Sequence, residues 1–187
     1  TALGKIVRDL VLRKLVQAWG DGRGLDIAGL GYATPYLDSF KPLARRSVAI
    51  MPAAQGVEVW PSSGPRLSCL GDELALPLPN AVFDRIVMIH ALEESGDPLG
   101  HLQEARRILA PSGRLIIIAA NRRGPWANAE TRCTADQRSF RNIRRAVSSS
   151  RRAAPKSSNR FFIASPRTAA SFGFCSSFNS SSVAIRC

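Results

Sequence analysis

Asp26-Ile27-Ala28-Gly29-Leu30-Gly31-Tyr32-Ala33-Thr34 is the stretch that decides the fold. The short apolar run 24–28 enters a glycine turn at Gly29-Leu30-Gly31, and residues 33–40 follow with helical character. Pro35 is tolerated in that helix only in its first turn. Without a Cβ, Gly29 and Gly31 let the backbone turn tightly and approach a ligand closely. The helix start that follows offers free N–H groups to an anionic group such as a carboxylate. A strand, a glycine turn and a helix in that order are the first unit of a parallel α/β sheet.

The flanking sequence repeats the alternation. Upstream, Leu3, Ile6, Val7, Leu10, Val11, Leu15 and Val16 recur near helical spacing and predict an amphipathic helix over 3–19, ended by Trp19-Gly20-Asp21-Gly22. Downstream, residues 47–51 read as a second strand stopped by Pro52, 53–65 as loop, and 66–70 as a weak third strand. Residues 83–90 read as a buried strand of the parallel-sheet type. Asp97 is placed to cap a helix with Pro98 at its first position, and Leu99, Leu102, Ala105, Ile108 and Leu109 form its apolar stripe. Pro111-Ser112-Gly113 reads as a turn before a last buried strand at 114–120. The fold class expected is α/β, a doubly wound, mostly parallel sheet with helices on both faces.

Composition divides the chain in two. Residues 1–128 hold 15 Lys and Arg against 12 Asp and Glu, whereas residues 129–187 hold 11 against 2, so the net charge of +12 belongs mainly to the tail. From Ser139 to Cys187, 13 of 49 residues are serine and no period persists. The expected organisation is an α/β domain over 1–127, with its N-terminal helix in 1–20, and a basic Ser/Arg-rich tail over 128–187. That tail is expected to be either disordered or the product of a shifted reading frame. On this reading the sheet stops at five strands with an exposed edge. The four cysteines show no C-x-x-C spacing and there are two histidines, so no metal site is expected. Charges at Lys5, Arg8, Asp9, Arg13 and Lys14 interrupt any secretory core, and no apolar run is long enough to span a membrane. A cytoplasmic setting is the expectation.

Ligands of open parallel sheets bind outside the carboxyl ends of the strands. A dinucleotide fingerprint would want a small residue where Thr34 stands and an acid near Ala49-Ile50-Met51, and no Walker loop is present. Four further pieces then matter together: 25–37, the run Gly71-Asp72-Glu73-Leu74-Ala75-Leu76-Pro77-Leu78-Pro79, the run 83–93, and Leu109-Ala110-Pro111-Ser112-Gly113-Arg114-Leu115-Ile116. In this order and spacing, over residues 20–127, the chain resembles the class I S-adenosylmethionine-dependent methyltransferases, in particular the type 11 methyltransferase-domain group. The resemblance implies a Rossmann-like fold, S-adenosylmethionine as cofactor and methyl transfer to an acceptor that the sequence does not identify.

The resemblance also implies roles. Gly29 and Gly31, with Tyr32 beside them, match the turn under the methionine moiety. Asp72 matches the acid that accepts a hydrogen bond from the adenine amino group, with Glu73 and Leu74 framing the ring. Ile89 and His90 end the fourth strand, where the family faces the sulfonium and the substrate, and His90 is the candidate general base. Two positions depart from the family. Asp26 stands three residues before Gly29 instead of two, and Met51-Pro52 stands where the family has an acid that binds both ribose hydroxyls. Loss of that charge-assisted bond, about 1.5–3 kcal/mol, implies roughly ten- to a hundredfold weaker binding unless another group compensates.

Structural roles compete with these. Asp72 could also cap a turn, but its Leu-Pro-Leu-Pro context favours the binding role, and Asp84, ahead of a buried strand, reads as structural. Glu93 and Glu94 read as a solvated loop, and His101 as the outer face of its helix. Tyr32 and Tyr36 suit either a pocket mouth or the core, and Trp60 and Trp126 suggest no role. A second function class, a non-catalytic protein whose basic tail docks on nucleic acid, rests on the tail's 11 Lys and Arg.

Overall fold

The computed structural model describes residues 2–53, 56–119, 160–164 and 182–185. In chain order the elements are α1 (Ala2–Trp19), β1 (Asp26–Gly31), α2 (Thr34–Leu37), β2 (Arg46–Pro52), β3 (Ser68–Gly71), β4 (Phe83–Ile89), α3 (Pro98–Ile108), β5 (Leu109–Ile118), β6 (Arg160–Ala164) and β7 (Ser182–Ile185). The strands form one sheet in the order β3-β2-β1-β4-β5-β6-β7, and every pairing is parallel. The chain leaves β1 towards β2 on one side and returns to β4 on the other, so the strand order reverses between β1 and β4. That reversal opens a crevice at the carboxyl ends of the central strands.

Strand alternation sends side chains to two cores. On one face Leu30, Ile50, Ile86, Met88, Leu115 and Ile117 pack with Leu102, Ala105 and Ile108 of α3. On the other Ile27, Ala49, Val87, Ile89, Ile116 and Ile118 pack with Val11, Leu15 and Trp19 of α1 and with Leu37 and Phe40. Both faces of β1, β2, β4 and β5 are therefore covered, which is why the centres of these strands read as apolar runs. Asp97 caps α3 as expected: one carboxylate oxygen accepts from the Leu99 and Gly100 N–H groups, each at 3.1 Å.

Four expectations change. The helix after the glycine turn is a single turn, Thr34–Leu37, because hydrogen bonds such as Phe40 N–H to Leu37 carbonyl tighten the chain beyond it. The Pro111-Ser112-Gly113 turn lies inside β5 as a bulge. Phe83 pairs with Leu109 and Arg85 with Arg114, so Asp84 alone faces residues 110–113. Glu93 is not on a solvated loop; its side chain is 7% exposed. The five-strand sheet with a bare edge is not what is found, since β6 pairs along Arg114–Ile118 of β5. The apolar run Phe161-Phe162-Ile163 has strand propensity but is too short to announce itself by periodicity. Apart from β6 and β7, the residues of the basic tail lie outside the described residues, as does Trp126.

Replacing Asp97 with Ala removes both cap hydrogen bonds, and the expected loss is about 1 kcal/mol of unfolding free energy. Urea denaturation of the two proteins side by side checks it, with an unchanged midpoint counting against the cap.

Candidate functional site at the strand ends

Gly31, the last residue of β1, adopts φ 75°, and a Cβ there would stand 2.5 Å from the Ile89 carbonyl oxygen. The next peptide uses the same oxygen: Tyr32 N–H donates to it at 2.9 Å. The turn therefore needs glycine twice over, for its left-handed backbone and for the close approach. Gly29 serves packing, since a Cβ on it would lie 2.4 Å from Ala33 Cβ and 2.8 Å from Leu37 Cδ1.

Beyond this turn a crevice runs across the ends of β1, β2 and β3. Leu30, Gly31, Ile50, Pro52, Gly71, Glu73, Leu76 and His101 line it. The glycine turn and the segment that carries Asp72 thus border one space, as the family pattern implies. Asp72 itself is exposed, and its Oδ1 accepts from Leu74 N–H at 2.9 Å, closing a local turn and holding the carboxylate at the rim. Leu74 is exposed beside it. Glu73 Oε1 accepts from the Ser95 hydroxyl at 2.6 Å. Tyr32 is 60% exposed at the mouth, while Tyr36 belongs to the core.

Three sequence expectations meet a different geometry. Asp26 does not reach the crevice, because it begins β1 at the opposite end of the strand, about 16 Å from Gly31 at strand rise. Its buried carboxylate takes two hydrogen bonds from Arg45, at 2.9 and 2.7 Å. The Arg45 guanidinium holds the Asp26 pKa below the ordinary carboxylate value, against an opposing push from burial. Asp84 completes the pair by accepting from Asp26 N–H at 3.0 Å, the structural role its position suggests. Ile89 turns its side chain into the core and offers only its carbonyl. His101 is not on the surface but 2% exposed, beneath the crevice.

His90 follows β4 with φ 53°, a conformation that a non-glycine residue adopts only at some cost. Its Nδ1 lies 3.0 Å from Glu93 Oε1 and its ring is half exposed at the strand ends. The Glu93 carboxylate raises its pKa above the ordinary 6.5, against an opposing effect of burial.

Glu58 is a residue that sequence reasoning missed. Its N–H donates to Met51 Sδ at 3.1 Å, and its Oε2 accepts from the Thr34 hydroxyl at 3.1 Å. Met51 ends β2 without an acid, yet the loop returns one beside it. Trp60 anchors that loop: it is buried, and its indole Nε1–H donates to Asp38 at 2.7 Å. The signal was an acid seven positions beyond Met51 in a loop without periodicity, so only the fold could bring it back.

Residues 25–117 match the family model described as Methyltransferase domain. A demethylmenaquinone methyltransferase of Thermus thermophilus is 32% identical over 95 residues, which is 51% of this chain and 36% of that protein. Among solved structures, a SAM-dependent methyltransferase from Thermotoga maritima, described as a possible histamine N-methyltransferase, aligns with TM-score 0.51 and 21% identity, covering 65% of this chain and 63% of that one. An S-adenosyl-L-methionine-dependent methyltransferase from Methanococcus maripaludis aligns with TM-score 0.52 and 12% identity, covering 74% of each chain. The chain thus spans about a third of the length of the curated relative it matches. The cofactor these matches imply is S-adenosylmethionine. Gly31 lines the crevice with backbone alone, since the space a Cβ would take there is held by Ile89 and Ala91.

Two outcomes separate structure from binding. Asp26→Asn is expected to cost about 1–2 kcal/mol, low for charge-assisted hydrogen bonds because Arg45 is 63% exposed, in equilibrium denaturation. With the His90 pKa raised, its pairing with Glu93 stabilises fully below pH 6.5 and is lost as pH rises through the raised value. Melting temperatures of wild type and His90→Gln should therefore converge towards alkaline pH, and a constant gap would refute the pairing. Motif order, sheet topology and the match over 25–117 agree that residues 25–117 form a methyltransferase domain of the S-adenosylmethionine-dependent, Rossmann-like type.

Proposed function

We propose that the chain binds S-adenosylmethionine in the crevice at the ends of β1, β2 and β3 and transfers its methyl group to an acceptor at the rim. The observation that carries this reading is the convergence of the Gly31 turn with the Gly71–Glu73 segment on one crevice. When bound, the cofactor supplies an already activated methyl on a sulfonium. The protein's task is then alignment and exclusion of water, which suffices for much of the acceleration.

Each residue role follows from position. The Gly31 turn leaves room for the amino-acid part of the ligand. Asp72, held at the rim by its bond to Leu74 N–H, keeps a second carboxylate oxygen to accept from an adenine amino group. Glu58, fixed by Thr34 and by the Met51 sulfur, provides a carboxylate for the ribose hydroxyls in place of the acid that β2 lacks. His90 stands where a proton from the acceptor would be taken up, and its raised pKa means that it serves as a base only at the alkaline side of that value.

Calorimetric titration with S-adenosylhomocysteine tests the reading. The wild-type chain is expected to bind, and Asp72→Ala and Glu58→Gln each to bind about tenfold or more weakly. No heat of binding to the wild type would overturn the function, whereas equal affinity in a variant would remove only that residue's role.

A further inference from the structure

Leu76-Pro77-Leu78-Pro79-Asn80 lies between the end of β3 and the start of β4. Neither proline has an N–H, so the segment cannot join the sheet through a regular ladder, and its backbone groups need other partners. An ion pair on α3 supplies them. Arg107 Nη2 donates to the Leu76 carbonyl at 2.9 Å, and Nη1 donates to the Leu78 carbonyl at 2.8 Å and to Asn80 Oδ1 at 2.7 Å. Glu104 Oε2 accepts from Leu76 N–H at 3.0 Å and from Arg107 Nη2 at 2.8 Å, and Glu104 Oε1 accepts from Arg107 Nε at 2.9 Å. The Arg107 guanidinium holds the Glu104 carboxyl below the ordinary carboxylate range, so both partners stay charged near neutral pH. Both backbone groups of Leu76 are thus bound by one pair of side chains. Leu76 lines the crevice, whereas Glu104 and Arg107 do not.

We propose that Glu104 and Arg107 are positioning residues for methyl-donor binding: they fix the 76–80 segment against α3 and so hold Leu76 in place as one wall of the crevice. This rests on the donor reading of the crevice and adds to it two residues that do not touch the ligand. A guanidinium suits the task, because its rigid fork reaches the Leu76 and Leu78 carbonyls, Asn80 and the Glu104 carboxylate at once. An ammonium on a flexible stem has no such fork. Apparent affinity falls with the fraction of molecules whose site is in place, so a wall held about a tenth of the time binds about tenfold more weakly.

The test uses the full chain with S-adenosylhomocysteine as probe, at a temperature where circular dichroism shows each variant folded. Arg107→Met, which keeps an unbranched side chain and loses every donor, is expected to bind about tenfold more weakly than wild type. Arg107→Lys is expected to recover part of that loss. Amide exchange at Leu76 and Leu78 is expected to quicken in Arg107→Met while the amides of α3 keep their wild-type protection. The cap variant Asp97→Ala, which weakens α3 without touching the segment, is expected to bind as wild type does. An ion pair that merely stabilises the fold would lower the melting temperature of Arg107→Met and leave its affinity unchanged. Wild-type affinity in Arg107→Met, or an equal loss of affinity in Asp97→Ala, overturns the inference while the donor reading stands. Should Arg107→Met not fold, Arg107→Lys decides: weakened binding with faster exchange at Leu76 supports the inference, and wild-type affinity overturns it. Failure of the wild type to bind the probe overturns the donor reading and this inference with it.

Discussion

The close approach of Gly31 to Ile89 holds the two central strands together where the chain order reverses. The Ile89 carbonyl accepts from Tyr32 N–H at 2.9 Å, and Gly31 and Ile89 are register partners at the ends of β1 and β4. A side chain at position 31 would push the strands apart at that point, since its Cβ would sit 2.5 Å from the carbonyl oxygen. The crevice, the rim position of Tyr32 and the placement of His90 after β4 all follow from this contact. It is a backbone constraint, and glycine is the residue that meets it at little steric cost.

The two ends of the sheet carry different polar groups. At the strand beginnings, the buried Asp26 carboxylate is satisfied internally by Arg45, and Asp84 takes the Asp26 N–H. At the strand ends, Asp72 stays at the surface, Glu58 lies exposed beside Met51, and His101 keeps a ring nitrogen unpaired. Folding gains by satisfying buried groups such as Asp26.

The order of strands and helices was legible because both faces of the sheet are covered, so its strands read as apolar runs and the single-face helix α3 as a stripe with an Asp cap. The glycine turn was legible because its constraint is local. Asp72 was legible as a turn residue, since its carboxylate accepts from the Leu74 N–H. Asp26 misled because its partner Arg45 is 19 residues away and nothing nearby marks the pairing. His101 misled because an amphipathic stripe assigns a polar residue to the outer face, whereas the end of β3 folds over that face and buries it.

Composition, periodicity and motif order thus determined by themselves the α/β class, the parallel order of elements and the turn at Gly29–Gly31. Each depends on residues within a few positions of one another or on a face whose burial repeats regularly. Only the tertiary structure decided that Asp26 lies away from the crevice, that Glu58 lies beside Met51, and that the sheet continues past β5. Those outcomes turn on contacts between distant segments, where desolvation and pairing are set by which surfaces meet and not by the local pattern of the chain.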